Sequence, residues 1–272
     1  AEGREGRVSE VHHPARPSSQ ALGDVRGRFA RTRQERKEGR GRGREGMAAR
    51  EAPETGTTVV AVRYGDETHG RTGVVLGADS RVSTGTYVSN RASNKIARLA
   101  EGTYLLRSGS AADTQAVGDV VRDAVERLSW EMQESPSVHV VSQITARVAY
   151  ANKDRLLAAM IVAGWDRRRG GQVHGVPIGG TVVNLPWSVD GSGSTYIYGH
   201  CDATYRPGMD REQAVAFVKE ALALAMARDG SSGGMIRMVV VDEDGAEEMD
   251  VRGDHVPLYH EEIDVEAVLA VR

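Results

Sequence analysis

Residues 57–64 read Thr57-Thr58-Val59-Val60-Ala61-Val62-Arg63-Tyr64, a run of β-branched and apolar side chains. After a polar, glycine-containing turn a second run follows at Val74-Val75-Leu76-Gly77-Ala78-Asp79. Two such runs joined by a turn predict a β-hairpin. Residues 103–107 predict another strand. From Ala111 the apolar positions Val117, Val120, Val121, Ala124, Val125 and Leu128 recur at intervals of three and four, which predicts an amphipathic helix. A second helix is predicted over 138–152, followed by strand-like stretches at 157–165, 172–176 and 181–183. The sharpest helix signal comes next. Asp210 stands as N-cap with Gln213 three residues on, and Ala214, Phe217, Val218, Ala221, Leu222, Ala225 and Met226 share one face. Strands at 236–241 and 246–251 complete the pattern. Because the three helices do not alternate singly with strands, the order argues against a doubly wound fold. It predicts an α+β arrangement of packed sheets covered by helices.

Composition narrows the function classes. With 272 residues, 40% of them hydrophobic, the chain can build a substantial core, and no apolar run approaches the roughly 20 residues that a membrane-spanning helix needs. A single cysteine, Cys201, excludes an internal disulfide and a Cys-rich zinc site, and is read as a packed cysteine. The net charge of −3 hides an asymmetry: residues 1–46 hold 12 basic and 7 acidic side chains, leaving 23 basic and 31 acidic on the rest. A mildly acidic body argues against a nucleic-acid-binding domain. The basic segment 1–46, rich in Arg, Gly and Glu and without apolar period, is expected to be disordered. It reads as an unstructured extension, a doubtful gene start, an RNA-binding or interaction tail, or a targeting segment. The first methionine, Met47, is an expected start of the coding sequence.

The common catalytic signatures fail. Gly191-Ser192-Gly193-Ser194-Thr195-Tyr196 lacks the third glycine of a dinucleotide loop, and neither a P-loop, an H-E-x-x-H nor a G-x-S-x-G elbow occurs. His255 and His260 read as exposed polar residues rather than a metal pair. What remains is Gly56-Thr57-Thr58, a threonine directly after a glycine where the strand pattern begins. Alone it is weak, since threonine is a good strand former.

Five further blocks, in order along the chain, sharpen it: Gly77-Ala78-Asp79-Ser80-Arg81; Asn90-Arg91 through Lys95; Arg107-Ser108-Gly109-Ser110 through Gln115; Gly191-Ser192-Gly193-Ser194 through Gly199; and Ala227-Arg228-Asp229-Gly230-Ser231-Ser232-Gly233-Gly234. Together they resemble a proteasome beta subunit, most like the caspase-like class called beta type-6, from about residue 56 to 259. The resemblance implies the N-terminal nucleophile hydrolase fold, a four-layer αββα sandwich of two antiparallel sheets between helix layers. It implies a propeptide at 47–56, a peptidase domain at 57–259 and a tail at 260–272. Cutting after Gly56 would release Thr57 as nucleophile, with its own α-amine as base, since the ordinary α-amine pKa of about 7.7–8.0 suits that task. Lys95 is then the lysine beside the threonine hydroxyl and Asp79 its carboxylate partner. Gly109 supplies an oxyanion N–H, Ser192, Asp229 and Ser232 hold the amine and a water, and Arg107 lines a pocket for acidic side chains. No cofactor or metal is implied.

The implied partners are other alpha and beta subunits in stacked seven-membered rings and unfolded polypeptide substrates, with neither nucleic acid nor membrane. The implied role is ubiquitin-dependent protein degradation in cytoplasm and nucleus. A noncatalytic ring subunit of the same particle is the alternative, against which the set Thr57, Asp79, Lys95 argues; an RNA-binding protein built around the basic arm is a third. Two departures from the family pattern stand out. The turn between Tyr64 and Val74 is longer, which closure entropy tolerates. Asp190 replaces a common glycine, and a carboxylate there is expected to disturb the Gly-Ser turn or repel acidic substrates.

Overall fold

A computed structural model describes residues 56–65 and 71–257. The expected extension 1–46, the propeptide up to residue 55, the centre of the long turn at 66–70 and the tail from 260 lie outside the described residues. In chain order the strands and helices are β1 (Val59–Tyr64), β2 (Gly73–Asp79), β3 (Val82–Thr84), β4 (Tyr87–Asn90), β5 (Ile96–Ala100), β6 (Thr103–Gly109), α1 (Ala111–Met132), α2 (Val138–Ala151), β7 (Ala158–Asp166), β8 (Gly170–Val176), β9 (Val183–Leu185), β10 (Trp187–Asp190), α3 (Ser194–Thr204), α4 (Arg211–Arg228), β11 (Ile236–Asp242) and β12 (Gly245–Val251).

Two five-stranded antiparallel sheets form, in the orders β10-β1-β2-β11-β12 and β5-β6-β7-β8-β9. The alternation of side chains along β1 and β2 decides how they stack. Val59, Ala61, Val74, Leu76 and Ala78 point toward the other sheet and pack against Tyr104, Leu106, Ile161, Ala163 and Val173. Their neighbours Val60, Val62 and Val75 point the opposite way, into Ile197, Phe217, Val218, Ala221 and Leu222 of α3 and α4. Helices α1 and α2 cover the outer face of the second sheet. The layers therefore run helix, sheet, sheet, helix, as the resemblance implies. Both faces of β1 and β2 are buried, which is why they read as unbroken apolar runs rather than alternating ones. Full burial of a side chain such as Leu76 or Ile161 contributes about 1.5–3 kcal/mol. Gly77 lets α4 approach the sheet: a Cβ there would overlap Val218 and lie 2.8 Å from Leu222 Cδ1.

The sequence expectations are met for the hairpin, for α1, α2 and α4, and for β6, β7, β8, β11 and β12. In α4 Asp210 accepts from the Gln213 N–H at 2.7 Å and the Gln213 side chain accepts from the Asp210 N–H at 3.1 Å, closing the capping box. Three corrections follow. The strand expected at 181–183 lies at Val183–Leu185. Segments β3, β4, β5 and β10, each of only three to five residues, carry no signal strong enough to predict. Helix α3, which no sequence expectation covered, begins at Ser194, the last residue of the Gly-Ser turn expected at 191–194; it starts without a side-chain cap and buries only Ser194, Ile197 and Cys201, a stripe too thin to register as a period. Cys201 is packed as expected, and burial pushes its thiol up to about 12.

Candidate active site

The N-terminal end of β1 lies where several chain segments meet. β2 ends in Asp79, Lys95 directly precedes β5, and Arg107 and Gly109 finish β6. The turn between β10 and α3 brings in Ser192, and the residues after α4 bring in Asp229 and Ser232.

Asp79 is fully buried and accepts four hydrogen bonds. Its Oδ1 receives the Thr58 N–H at 2.8 Å and Lys95 Nζ at 2.7 Å. Its Oδ2 receives the Arg81 and Gly233 N–H groups, each at 3.0 Å. A buried carboxylate requires such pairing. One side chain thus ties the start of β1 to three other segments. Lys95 is 5% exposed; burial draws its ammonium below the ordinary lysine range, and Asp79 opposes that shift.

The second hydrogen bond of Lys95 falls on the carbonyl oxygen of Gly56, at 2.7 Å. The Thr57 hydroxyl donates to the same oxygen at 2.6 Å. The resemblance put Lys95 beside the threonine hydroxyl; in the structure the two meet through this shared acceptor, the carbonyl that precedes Thr57. Gly56 has φ +100° and would drive a Cβ into the Ser231 carbonyl at 2.5 Å, so only glycine fits before the threonine.

On the other side, the Thr57 N–H donates to Ser192 Oγ at 3.3 Å, and Ser192 donates to Asp229 Oδ2 at 2.7 Å. Ser232 also donates to Asp229 Oδ2, at 2.6 Å, but its other contact is the Thr58 hydroxyl at 2.7 Å. Of the three residues to which the resemblance gives the amine and a water, Ser192 meets the Thr57 nitrogen, while Ser232 reaches the neighbouring Thr58 hydroxyl. Asp229 sits at the C-cap of α4, its N–H bonded to the Ala225 carbonyl at 2.7 Å.

A hollow of about 30 Å³ lies beside Thr57, lined by Gly56, Lys95, Arg107, Gly109 and Thr114 among others. Two larger hollows, of about 780 and 910 Å³, lie elsewhere, around Tyr64 and Arg211 and around Trp130. Arg107 is anchored by a bond from its guanidinium to the Asn94 carbonyl at 2.7 Å, while its buried Nε–H has no partner. Burial lowers its pKa, against the opposing charge of Asp119. No group of three or more His, Cys, Asp and Glu side chains among the described residues could hold a metal ion.

Sequence reasoning missed Thr58, Gly233 and Ser108. Thr58 looked like a strand former, and the backbone N–H of Gly233 leaves no mark in sequence. Of the two effects expected of Asp190, disturbance of the turn is corrected. Its Oδ1 accepts the Gly191 N–H at 2.6 Å and the Ser108 hydroxyl at 2.8 Å, so the carboxylate braces the turn it was expected to disturb.

Comparison with known proteins identifies the family. A family described as "Proteasome subunit" matches residues 53–241. A Dictyostelium discoideum protein named "Proteasome subunit beta type-6" is 44% identical over 210 residues, covering 77% of this chain and 95% of the relative. An Arabidopsis thaliana protein of the same name is 44% identical over 209 residues, covering 77% and 87%. In Saccharomyces cerevisiae, "Proteasome subunit beta type-1" is 44% identical over 194 residues, covering 71% and 87%. With most of the chain covered at such identity and the two-sheet, helix-flanked fold in place, the chain belongs to the proteasome beta subunit family.

Proposed function

We propose that this subunit is a threonine endopeptidase of the proteasome core that releases its own nucleophile by cutting between Gly56 and Thr57. The observation that carries the reading is the convergence of the Thr57 hydroxyl and the Lys95 ammonium on the Gly56 carbonyl oxygen, at 2.6 and 2.7 Å. In the processing step the Thr57 hydroxyl oxygen bonds to the Gly56 carbonyl carbon and its proton passes to the Thr57 nitrogen. The C–N bond breaks to leave an ester. Lys95 stabilises the negative charge that gathers on the carbonyl oxygen. Water then hydrolyses the ester, giving a Gly56 carboxylate and a free Thr57 α-amine.

That amine becomes the general base for later turnovers, held by the Ser192 hydroxyl, which Asp229 orients. Gly109 is assigned the oxyanion N–H. Departure of Gly56, which lines the hollow beside Thr57, enlarges that space toward Arg107. The unpartnered Arg107 Nε–H then favours an acidic side chain before the cut, through a charge-assisted hydrogen bond. The same reading carries with it stacked seven-membered rings of alpha and beta subunits, ubiquitin-dependent degradation of unfolded polypeptides, and residence in cytoplasm and nucleus; these rest on family membership.

The test is the N-terminus of the subunit in assembled particles. Mass spectrometry should find it at Thr57, and Thr57→Ala should keep Gly56 attached and abolish cleavage after acidic residues. A wild-type subunit retaining Gly56 overturns the reading.

A further inference from the structure

We propose that Asp190 is a positioning residue, fixing the turn that carries Ser192 against the strand end that carries Arg107 and Gly109. The inference rests on the peptidase reading above. Asp190 is the last residue of β10 and pairs with Val59 of β1, two residues from Thr57. The turn that follows, Gly191-Ser192-Gly193, holds two glycines, so its backbone has wide conformational freedom unless something restrains it. It must nonetheless present one hydroxyl to the Thr57 nitrogen.

The Gly193 N–H holds the end of the turn on the Thr57 carbonyl at 3.2 Å, and Asp190 adds restraint at its start, at two points. Its Oδ1 closes on the Gly191 N–H at 2.6 Å, which fixes the entry to the turn. The same oxygen accepts from Ser108 Oγ at 2.8 Å. Ser108 is 3% exposed and lies between Arg107 and Gly109 in β6, where its hydroxyl also reaches the Ala159 carbonyl at 3.0 Å. Bonds to a carboxylate are about twice as strong as neutral ones. The side of the site that holds the nitrogen is thereby linked to the side that forms the pocket and the oxyanion N–H. Both sides come from different sheets, β10 from one and β6 from the other. A glycine at position 190 would have no side chain to make this link.

The experiment uses assembled particles carrying Asp190→Gly, Asp190→Asn, Ser108→Ala or the Asp190→Gly/Ser108→Ala pair, assayed with a peptide cleaved after an acidic residue. Misplacement of a catalytic group by a fraction of an ångström to one ångström costs up to about 100-fold, so Asp190→Gly should lower kcat about tenfold with KM nearly unchanged. Asp190→Asn should retain most activity, because the amide oxygen still accepts both bonds. The pair should lose no more than Asp190→Gly alone, because both changes break one link. Wild-type kcat in Asp190→Gly, or a lowered thermal midpoint with kcat per processed Thr57 unchanged, overturns the proposal. So does an Asp190→Asn variant as slow as Asp190→Gly. One readout does not depend on turnover. In the structure of the Asp190→Gly particle, the separation of Thr57 N and Ser192 Oγ should be longer than in the wild-type particle. An unchanged separation refutes the link even in a particle that proves inactive, whereas inactivity of the parent counts against the peptidase reading alone.

Discussion

Removing either member of the buried pair Lys95 and Asp79 should give opposite phenotypes, one catalytic and one structural. Asp79 keeps three backbone donors, Thr58, Arg81 and Gly233, when Lys95 is replaced by alanine. Breaking a buried ion pair costs about 3–5 kcal/mol when the remaining charge is left uncompensated. With three N–H groups still on the carboxylate, Lys95→Ala should fall at or below about 3 kcal/mol. Asp79→Ala leaves the Lys95 ammonium buried, with only the Gly56 carbonyl for a partner among the described residues, and strands three backbone N–H groups. At about 1–3 kcal/mol for each stranded donor, added to the pair term, the loss reaches at least about 6 kcal/mol. That is comparable with the whole stability of an ordinary domain, about 5–15 kcal/mol.

Lys95→Ala should therefore assemble into particles, while Asp79→Ala should not. Chemistry separates them further. Lys95 is the only charged donor on the Gly56 carbonyl among the described residues, and loss of one oxyanion donor costs about 2.7–4 kcal/mol, or about 100- to 1,000-fold in rate. The assay co-expresses each tagged variant with the remaining subunits. It reads incorporation by affinity purification and processing by intact mass over time. Assembled Lys95→Ala that is processed at the wild-type rate refutes the role given to the ammonium. Asp79→Ala that is incorporated as well as Lys95→Ala refutes the accounting of donors.

Thr57→Ser keeps a hydroxyl within reach of the Gly56 carbonyl, so intact mass should show processing at a measurable rate, in contrast to Thr57→Ala. His174, 1% exposed and facing the His139 ring at a centroid distance of 5.7 Å with Asp166 and Arg169 nearby, has its pKa lowered to about 4, chiefly by burial. Its unfolded form, at the ordinary 6.5, binds more protons between those values. The contribution is therefore complete above about pH 6.5 and declines as pH falls toward about 4, by about 3 kcal/mol in all. Thermal midpoints measured at pH 7.5 and pH 5 should drop in the wild type and drop less in His174→Phe.

The layered fold is legible where burial imposes a period on the sequence. Strands β1 and β2, covered on both faces, and α1 and α4, each with one broad apolar stripe, carry their structure in side-chain type. Helix α3 does not, because three buried positions over eleven residues leave no period to read. The site divides in the same way. Thr57, Asp79, Lys95 and Asp229 stand out because ionisable and nucleophilic residues in matched blocks point to chemistry. The N–H groups of Arg81 and Gly233 that hold Asp79 are backbone atoms, which nearly every residue type carries, so side-chain identity does not point to them. Asp190 misleads for another reason: a carboxylate in a tight turn is unfavourable only when it lacks donors, and its partner Ser108 lies 82 positions away in sequence.

Under the peptidase reading, processing and turnover use one geometry with different acyl groups, and Arg107 can tell them apart. In processing, the residue before the cut is Gly56, which has no side chain to place in the pocket beside Thr57. In turnover, that place is filled by a substrate side chain facing the Arg107 guanidinium. Arg107→Leu should thus leave the appearance of Thr57 at the N-terminus unchanged while cleavage after acidic residues falls and cleavage after apolar residues rises. A charge-assisted hydrogen bond contributes about 1.5–3 kcal/mol, so the preference should shift by about 10- to 100-fold. Intact mass reads the first quantity and a pair of reporter peptides, one acidic and one apolar before the cut, reads the second. Lys95→Ala should slow both reactions alike, since the ammonium acts on the carbonyl oxygen whichever acyl group carries it. If Arg107→Leu also blocks processing, its side chain is holding the Asn94 segment, to whose carbonyl it donates at 2.7 Å, and the assignment of the pocket fails.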